Sequence, residues 1–147
     1  MFSTHGRARA ATAYRRIDVE TIRHTLDPYQ QVSLLYAGVL DSIATARGAM
    51  ARGDVPGKVA AIARALRILE EGLSASLDRV AGGELAQNLA ALYDYCTHRL
   101  ILANARNDDA ALLQVTHLIG SVARGWDGIR KTDAAPDPES EPMVLGG

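Results

Sequence analysis

The chain has 147 residues, a formal net charge of −1 and one cysteine, which is enough length for one domain with a substantial core but gives no global basic field to attract nucleic acid. One cysteine excludes an internal disulfide and a zinc site built from several cysteines, and it fits a reducing compartment. Because no apolar run approaches the ~18–20 residues of a membrane span and the N-terminus lacks the apolar core of a signal peptide, we expect a cytoplasmic protein that neither inserts into a membrane nor binds nucleic acid.

Residues 1–26 are interpreted as an N-terminal arm. The arm is basic at first and becomes amphipathic from Tyr14 onward, where Ile17 and Ile22 supply apolar side chains. We expect it to be partly flexible. Its basic residues are Arg7, Arg9, Arg15, Arg16 and Arg23.

The first predicted helix runs from Asp27 to about Arg52. Asp27 followed by Pro28 is typical of an N-cap with proline at the first helical position, and Gly53 ends the helix. Apolar residues at three- and four-residue steps predict one buried face. These residues are Val32, Tyr36, Val39, Ile43, Ala46 and Met50.

The second and third predicted helices are separated by Gly82 and Gly83. Asp54 caps the second helix, and Pro56 is tolerated in its first turn; Glu84 opens the third helix, which extends to Asn107. Each helix carries one apolar stripe. The stripes are Val59, Ile62, Leu66, Leu69, Leu73 and Leu77 on the second helix, and Leu85, Leu89, Leu92, Cys96, Leu100 and Ala103 on the third.

The fourth predicted helix begins at Asn107-Asp108, which also ends the third. Short connections between helices of similar length favour antiparallel neighbours, so residues 27–130 are predicted to form an all-α, up-down-up-down four-helix bundle. Residues 131–147 are predicted to form a disordered, acidic tail that contains three prolines. The fourth stripe is Val115, Leu118, Ile119, Val122, Trp126 and Ile129.

The sequence offers little for catalysis. It contains no glycine-rich phosphate loop, no Gly-x-Ser-x-Gly turn and no Glu-x-x-His pair of the kind that builds di-iron bundles. Asp94 and His98 lie four residues apart and could hold one edge of a metal site, but a solvated i,i+4 pair is favoured because no second ligand pair exists. Cys96 lies on the core stripe, where free cysteine usually acts as a small hydrophobe. We therefore expect no enzyme, no metal and no cofactor.

Several large apolar residues lie off the predicted core stripes. On an ideal helix with about 100° per residue, Tyr95 and Leu102 fall on one flank of the third stripe, and Ile101 falls close to the opposite face. Ile68 on the second helix and Leu113 on the fourth also point away from their stripes. Spacing alone leaves open whether these residues form one continuous patch or are scattered.

The sequence resembles the FliS family of flagellin export chaperones from about Ala13 to Ile129. The best match is GGELAQNLAALYDYCTHRLILANARND, residues 82–108. Supporting matches are Ala13-Tyr14, Asp27-Pro28, Leu35-Tyr36-x-Gly38 and Ser76-Leu77-Asp78. Three positions depart from the common pattern of the family: Asp27 stands in place of serine, Ala37 in place of aspartate and Cys96 in place of methionine.

This resemblance implies a cytoplasmic helical bundle that binds the disordered C-terminal segment of flagellin. Such a protein prevents premature polymerisation and assists delivery to the export gate of the flagellar type III secretion apparatus. It also implies that the arm covers part of the binding groove through Tyr14, Ile17 and Ile22 when flagellin is absent. The residues predicted to bind flagellin are Ile68, Ala91, Tyr95, Ile101, Leu102 and Leu113.

Other interpretations stay open at this point. A helical bundle that binds another flagellar regulatory protein would use a similar surface, and a metal-dependent bundle enzyme would require bound metal. The arm could instead only cap the end of the bundle. The sequence also leaves open a homodimer.

Overall fold

The computed structural model describes residues 26–134, which form four helices and, within that range, no strand. The second helix is composite: an α-helical segment Val55–Arg67 is followed by a π-helical turn Ile68–Leu73, a 3₁₀ turn Ser74–Ser76 and a last α-helical turn Leu77–Val80. We call this composite helix α2. The other helices are α1, Pro28–Ala51; α3, Gly83–Arg106; and α4, Asp109–Ala134.

The helices are arranged in a ring in chain order. α1 packs against α2 and α4, and α3 packs against the same two helices. Connections of two or three residues join successive helices, so each runs antiparallel to its chain neighbours. The predicted all-α four-helix bundle is confirmed.

Local capping explains where the first two helices begin. The Asp27 side chain accepts a hydrogen bond from the Gln30 amide (2.9 Å), and the Gln30 side chain accepts one from the Asp27 amide (3.3 Å), which completes a capping box. Asp54 accepts from the Gly57 amide at 3.0 Å. Gly53 between the helices has φ of 72°, a left-handed conformation that glycine adopts without strain. The predicted start of both helices is confirmed.

A buried lysine of α2, Lys58, forms hydrogen bonds with the turn between α3 and α4. Asn107 ends α3 in the left-handed conformation (φ 50°), and the Asp108 side chain accepts from the Ala111 amide at 3.2 Å. The Lys58 ammonium donates to the Asn104 carbonyl (2.9 Å) and to Asn107 Oδ1 (2.5 Å). A cation at the C-terminal end of a helix interacts favourably with the exposed carbonyls there.

A single core runs through the bundle and contains one buried polar pair. The hydroxyls of Tyr36 on α1 and Tyr93 on α3 lie 2.6 Å apart and share a hydrogen bond. Near one end, the Trp126 indole donates to the Tyr29 carbonyl at 2.9 Å and stacks on the Tyr29 ring. The largest fully buried side chains include Tyr36, Ile43, Ile62, Leu69, Leu73, Tyr93, Leu100, Leu112 and Ile119.

Three residues of the predicted stripes are not in the core. Val59, Leu85 and Ile129 are 43%, 46% and 47% exposed. Leu85 lies in the first turn of α3, Val59 lies in the second turn of α2, and Ile129 lies beyond the level at which Trp126 contacts the start of α1. The apolar pattern of a helix continues to its end, but the neighbouring helices do not always extend as far, so the last apolar side chains can remain exposed. Flanking stripe residues are half-buried: Met50, Leu66, Leu92, Leu118 and Val122.

The prediction of a regular second helix was wrong over Ile68–Leu73, where the winding is π-helical. Leu69, Leu73 and Leu77 are all buried although they follow one another at four-residue steps. In a regular α-helix each such step rotates the side chain by about 40°. The wider π turn absorbs this drift and keeps the three leucines on one face.

The ends of the chain lie partly outside the described residues. α4 continues through residues 131–134, which the sequence analysis assigned to the tail. The arm residues Tyr14, Ile17 and Ile22, and the tail from residue 135, lie outside the described range. Among residues 26–134, no helix combines the length and apolar content needed to cross a bilayer.

Candidate functional site

α3 carries apolar side chains on two faces. Its inner face is buried and consists of Leu89, Tyr93, Cys96, Leu100 and Ala103. What we call the outer face consists of Ala91, Tyr95, Ile101 and Leu102. Tyr95 and Ile101 are 44% and 53% exposed, Ala91 is exposed and Leu102 is half-buried. The outer face is therefore available for contact with another molecule.

The outer face has two parts. With about 100° per residue, Ala91, Tyr95 and Leu102 share an arc of about 40°, whereas Ile101 is displaced by roughly 80–120° from them. The arc of three lies beside α4, because the Tyr95 hydroxyl accepts a hydrogen bond from the Gln114 side chain at 2.8 Å. Gln114 in turn accepts from the Arg99 guanidinium at 2.7 Å. These polar contacts hold the Tyr95 ring over the seam between α3 and α4.

Asp94 and His98 do not pair through their side chains. His98 Nδ1 lies 2.8 Å from the backbone carbonyl oxygen of Asp94, four residues earlier. Within the part of the chain that the structure describes, no group of three His, Cys, Asp or Glu side chains is placed to hold a metal ion.

Two titratable groups of α3, Cys96 and Tyr93, are buried in the core together with Tyr36 of α1. Burial raises the pKa of the Cys96 thiol to about 11, so the side chain is a neutral thiol at physiological pH. Burial also raises the pKa of Tyr36, although its hydrogen bond to Tyr93 partly opposes this. The pKa of Tyr93 is raised by burial and by the same hydrogen bond. The placement of Cys96 in the core agrees with its interpretation as a small hydrophobe.

The six residues predicted to bind flagellin do not all share one surface. Four of them form the outer face of α3, but Ile68 is half-buried, packs against the core and lies beside Gly38 of α1, so it does not point away from the bundle as expected. Leu113, on α4, is also half-buried. The structure therefore brings together Ala91, Tyr95 and Leu102, places Ile101 on the same helix about a quarter turn or more away from them, and separates Ile68 from this group.

Ile68 lines a groove between α1 and α2 that the sequence analysis did not identify. We call it the α1–α2 groove; its volume is ≈ 370 Å³. The signal for it is a pair of small residues at four-residue spacing on α2, Gly72 and Ser76. The residues lining it are Gln31, Leu35, Arg64, Arg67, Ile68, Glu71, Gly72, Ala75, Ser76 and Arg79.

Known proteins of one family are similar to this chain over most of its length. Residues 10–133 match the family model described as "Flagellar protein FliS". The chain is 38% identical over 117 residues to the flagellar secretion chaperone FliS of Salmonella typhimurium, covering 80% of this chain and 87% of that protein. It is 40% identical over 121 residues to the flagellar secretion chaperone FliSB of Pseudomonas aeruginosa, covering 82% of this chain and 95% of that protein. The corresponding FliS of Escherichia coli is 38% identical over 119 residues, covering 81% and 88% of the two chains.

Proposed function

The chain belongs to the FliS family of flagellar secretion chaperones, and from this premise we propose that it binds the disordered C-terminal segment of flagellin in the cytoplasm. Binding prevents premature polymerisation of flagellin and assists its delivery to the export gate of the flagellar type III secretion apparatus. In this proposal the protein has no catalytic activity, needs no cofactor, and neither inserts into the membrane nor binds nucleic acid.

The observation that carries the proposal is the outer face of α3. Ala91 and Leu102 are separated by about 16 Å along the helix, and Tyr95 lies between them with its ring held by Gln114. An elongated apolar strip of this kind fits an amphipathic segment that docks as a helix or as an extended chain. Tyrosine supplies a large contact area with few rotatable bonds, which suits it to an interface.

The surface is open rather than enclosed, and this suits a chaperone that must release what it carries. A disordered segment loses conformational entropy when it docks, so affinity per unit of buried area is held down. The arm has a second role in this proposal. Its residues Tyr14, Ile17 and Ile22 cover part of the binding surface in the absence of flagellin. Deletion of residues 1–25 should then increase binding of an apolar dye while the helical signal is retained; an unchanged dye signal would contradict the role of the arm.

The direct test is a calorimetric titration of the full chain with a peptide that spans the flagellin C-terminal segment. We expect one peptide per chain. A dissociation constant weaker than about 100 μM, which corresponds to only about 5–6 kcal/mol of association free energy, would contradict the proposal.

Matched alanine positions test the location of the binding surface. Ala91 is exposed on α3 inside the proposed surface, and Ala44 is exposed on α1 outside it. Ala91→Asp should weaken peptide binding by roughly tenfold or more, because a charge would be desolvated next to the Tyr95 ring. Ala44→Asp should leave the affinity unchanged. Equal effects of the two substitutions would move the binding surface away from α3.

A further inference from the structure

The α1–α2 groove combines an apolar floor with a basic rim. Leu35 and Ile68 contribute apolar side chains to it, and Gly72 brings the helices close, since a Cβ at position 72 would lie 2.9 Å from Leu35 Cδ2. Three of the lining residues are arginines, Arg64, Arg67 and Arg79, and one, Glu71, is acidic. This groove is separate from the outer face of α3, because no residue of α3 lines it.

Two of the three arginines are available to an incoming anion. Arg64 pairs with Asp41 at 3.4 Å, whereas no carboxylate in the described part of the chain lies within ion-pair distance of Arg67 or Arg79. Glu71 lines the same groove but pairs with none of these arginines. Three arginines and two carboxylates, Asp41 and Glu71, leave one positive charge in excess around the groove. This charge favours an occupant that is acidic as well as partly apolar.

The C-terminal segment of this chain has that composition. Residues 135–147 contain the acidic residues Asp137, Glu139 and Glu141, followed by the apolar residues Met143, Val144 and Leu145. The other terminal segment, residues 1–25, carries Arg7, Arg9, Arg15, Arg16 and Arg23. Like charges repel, so the basic rim of the groove disfavours the arm and favours the C-terminal segment.

The end of α4 and one end of the α1–α2 groove lie at the same end of the bundle. Trp126 and Asp127 of α4 contact Tyr29 and Ser33 in the first two turns of α1, at 2.9 and 2.8 Å. Gln31, in the same part of α1, already lines the groove. Thirteen residues follow Ala134 (147 − 134), and thirteen extended residues reach at most about 45 Å. The groove begins about one helix spacing of 8–10 Å beyond α1, well within that reach.

We propose that residues 135–147 bind the α1–α2 groove of the same chain. Residues 135–138 bridge from α4 to the Arg79 end of the groove. There Glu139 faces Arg79, Glu141 lies between Arg79 and Arg67, and Met143 and Leu145 cover Leu35 and Ile68. The lengths agree: Ile68 and Arg79 are about 16 Å apart along an ideal helix, and residues 139–145 span about 20 Å when extended. In this proposal the groove binds an acidic and partly apolar segment of its own chain. The assignment does not depend on the function proposed above.

Paramagnetic broadening in the full chain tests this assignment. Ser140→Cys carries a nitroxide, and Cys96 does not compete for the label because it is fully buried. We expect amide signals of Gly72 and Ala75 to broaden, and signals of Ala91 and Leu102 on α3 to remain sharp. Because the Debye length falls from about 10 Å at 0.1 M salt to about 3 Å at 1 M, the broadening should decrease at high salt.

Charge exchange provides the matched control. Arg67→Glu combined with Arg79→Glu should abolish the broadening at the groove, while circular dichroism stays helical because both side chains are solvent-exposed. Adding Glu139→Lys and Glu141→Lys to that variant should restore it. Broadening confined to the end of α4, broadening on α3, or failure of the reversed tail to restore the contact would overturn the proposal. Broadening that disappears when the labelled chain is diluted with unlabelled protein would show docking between two copies, which would also overturn it.

Discussion

The inner and outer faces of α3 are built from similar side chains and behave differently. Leu100 is completely buried, whereas the next residue, Ile101, is 53% exposed. Tyr93 is buried with its hydroxyl bonded to Tyr36, and Tyr95 is exposed with its hydroxyl bonded to Gln114. Residue type alone does not distinguish these roles; the presence or absence of a neighbouring helix does. In this account one face supplies stability and the other supplies binding.

The largest expected loss of stability follows from a substitution on the inner face. Leu100→Asp places a carboxylate in a site without a partner, and a change of this kind costs about 4 kcal/mol or more. Because domains of this size are stable by only about 5–15 kcal/mol, we expect most of the folded population to be lost or the urea midpoint to fall sharply. A midpoint close to that of the unmodified protein would show that the inner face is not the core.

A moderate effect is expected from the buried tyrosine pair. Tyr93→Phe leaves the Tyr36 hydroxyl buried without its partner, at a cost of about 1–3 kcal/mol in the free energy of unfolding. Replacing both tyrosines by phenylalanine should cost less than the sum of the two single changes, since neither polar group is then left unpaired. Urea unfolding of the two single variants and the double variant measures this; additive costs would argue against a shared hydrogen bond. Peptide affinity should not change.

The smallest effect concerns the ion pair that links α1 to α4. The Arg47 guanidinium donates to both carboxylate oxygens of Asp109, at 2.8 and 3.1 Å, and this hydrogen bonding lowers the pKa of Asp109. A lowered pKa in the folded state contributes stability above the unfolded pKa of about 3.9, and this contribution is lost as the pH falls through the folded value. Asp109→Asn should therefore lower the urea midpoint slightly at pH 7 and make no difference near pH 2. A difference that persists near pH 2, where the carboxyl is protonated, would show that the loss of stability does not come from the ion pair.

Much of the fold could be predicted because it is encoded by neighbouring residues. Asp27, Asp54 and Asp108 cap helices, and Gly53 and Asn107 adopt left-handed conformations between helices; these are local effects that a sequence pattern shows directly. The stripes located each buried face for the same reason. Their ends could not be located in this way, because the exposure of Leu85 and Ile129 depends on where the neighbouring helices stop.

The candidate site was less accessible to prediction from sequence. Tyr93 lies about 60° from Cys96 around the helix and Tyr95 about 100° on the other side, so both tyrosines flank the stripe, and only the first is buried in the assembled bundle. Ile68 was assigned to the surface because it lies off the stripe of larger apolar residues; in the structure it follows the buried Ala61 and Ala65 on a second face, and the close approach of Gly38 places it against α1. These differences depend on contacts between helices, which spacing within one helix does not encode.

A comparison of Ile101→Asp with Val59→Asp tests most directly whether the outer face of α3 binds flagellin without supporting the fold. Both residues are exposed aliphatic side chains, but Val59 lies on α2, outside the proposed surface. Each change should alter the free energy of unfolding by no more than about 0.5 kcal/mol, plus a few tenths for the helix-disfavouring aspartate. In calorimetric titrations with the flagellin peptide, Ile101→Asp should weaken binding by about 2 kcal/mol, or roughly thirtyfold, and Val59→Asp should not. Equal affinities for the two variants, or unfolding of Ile101→Asp, would contradict the account.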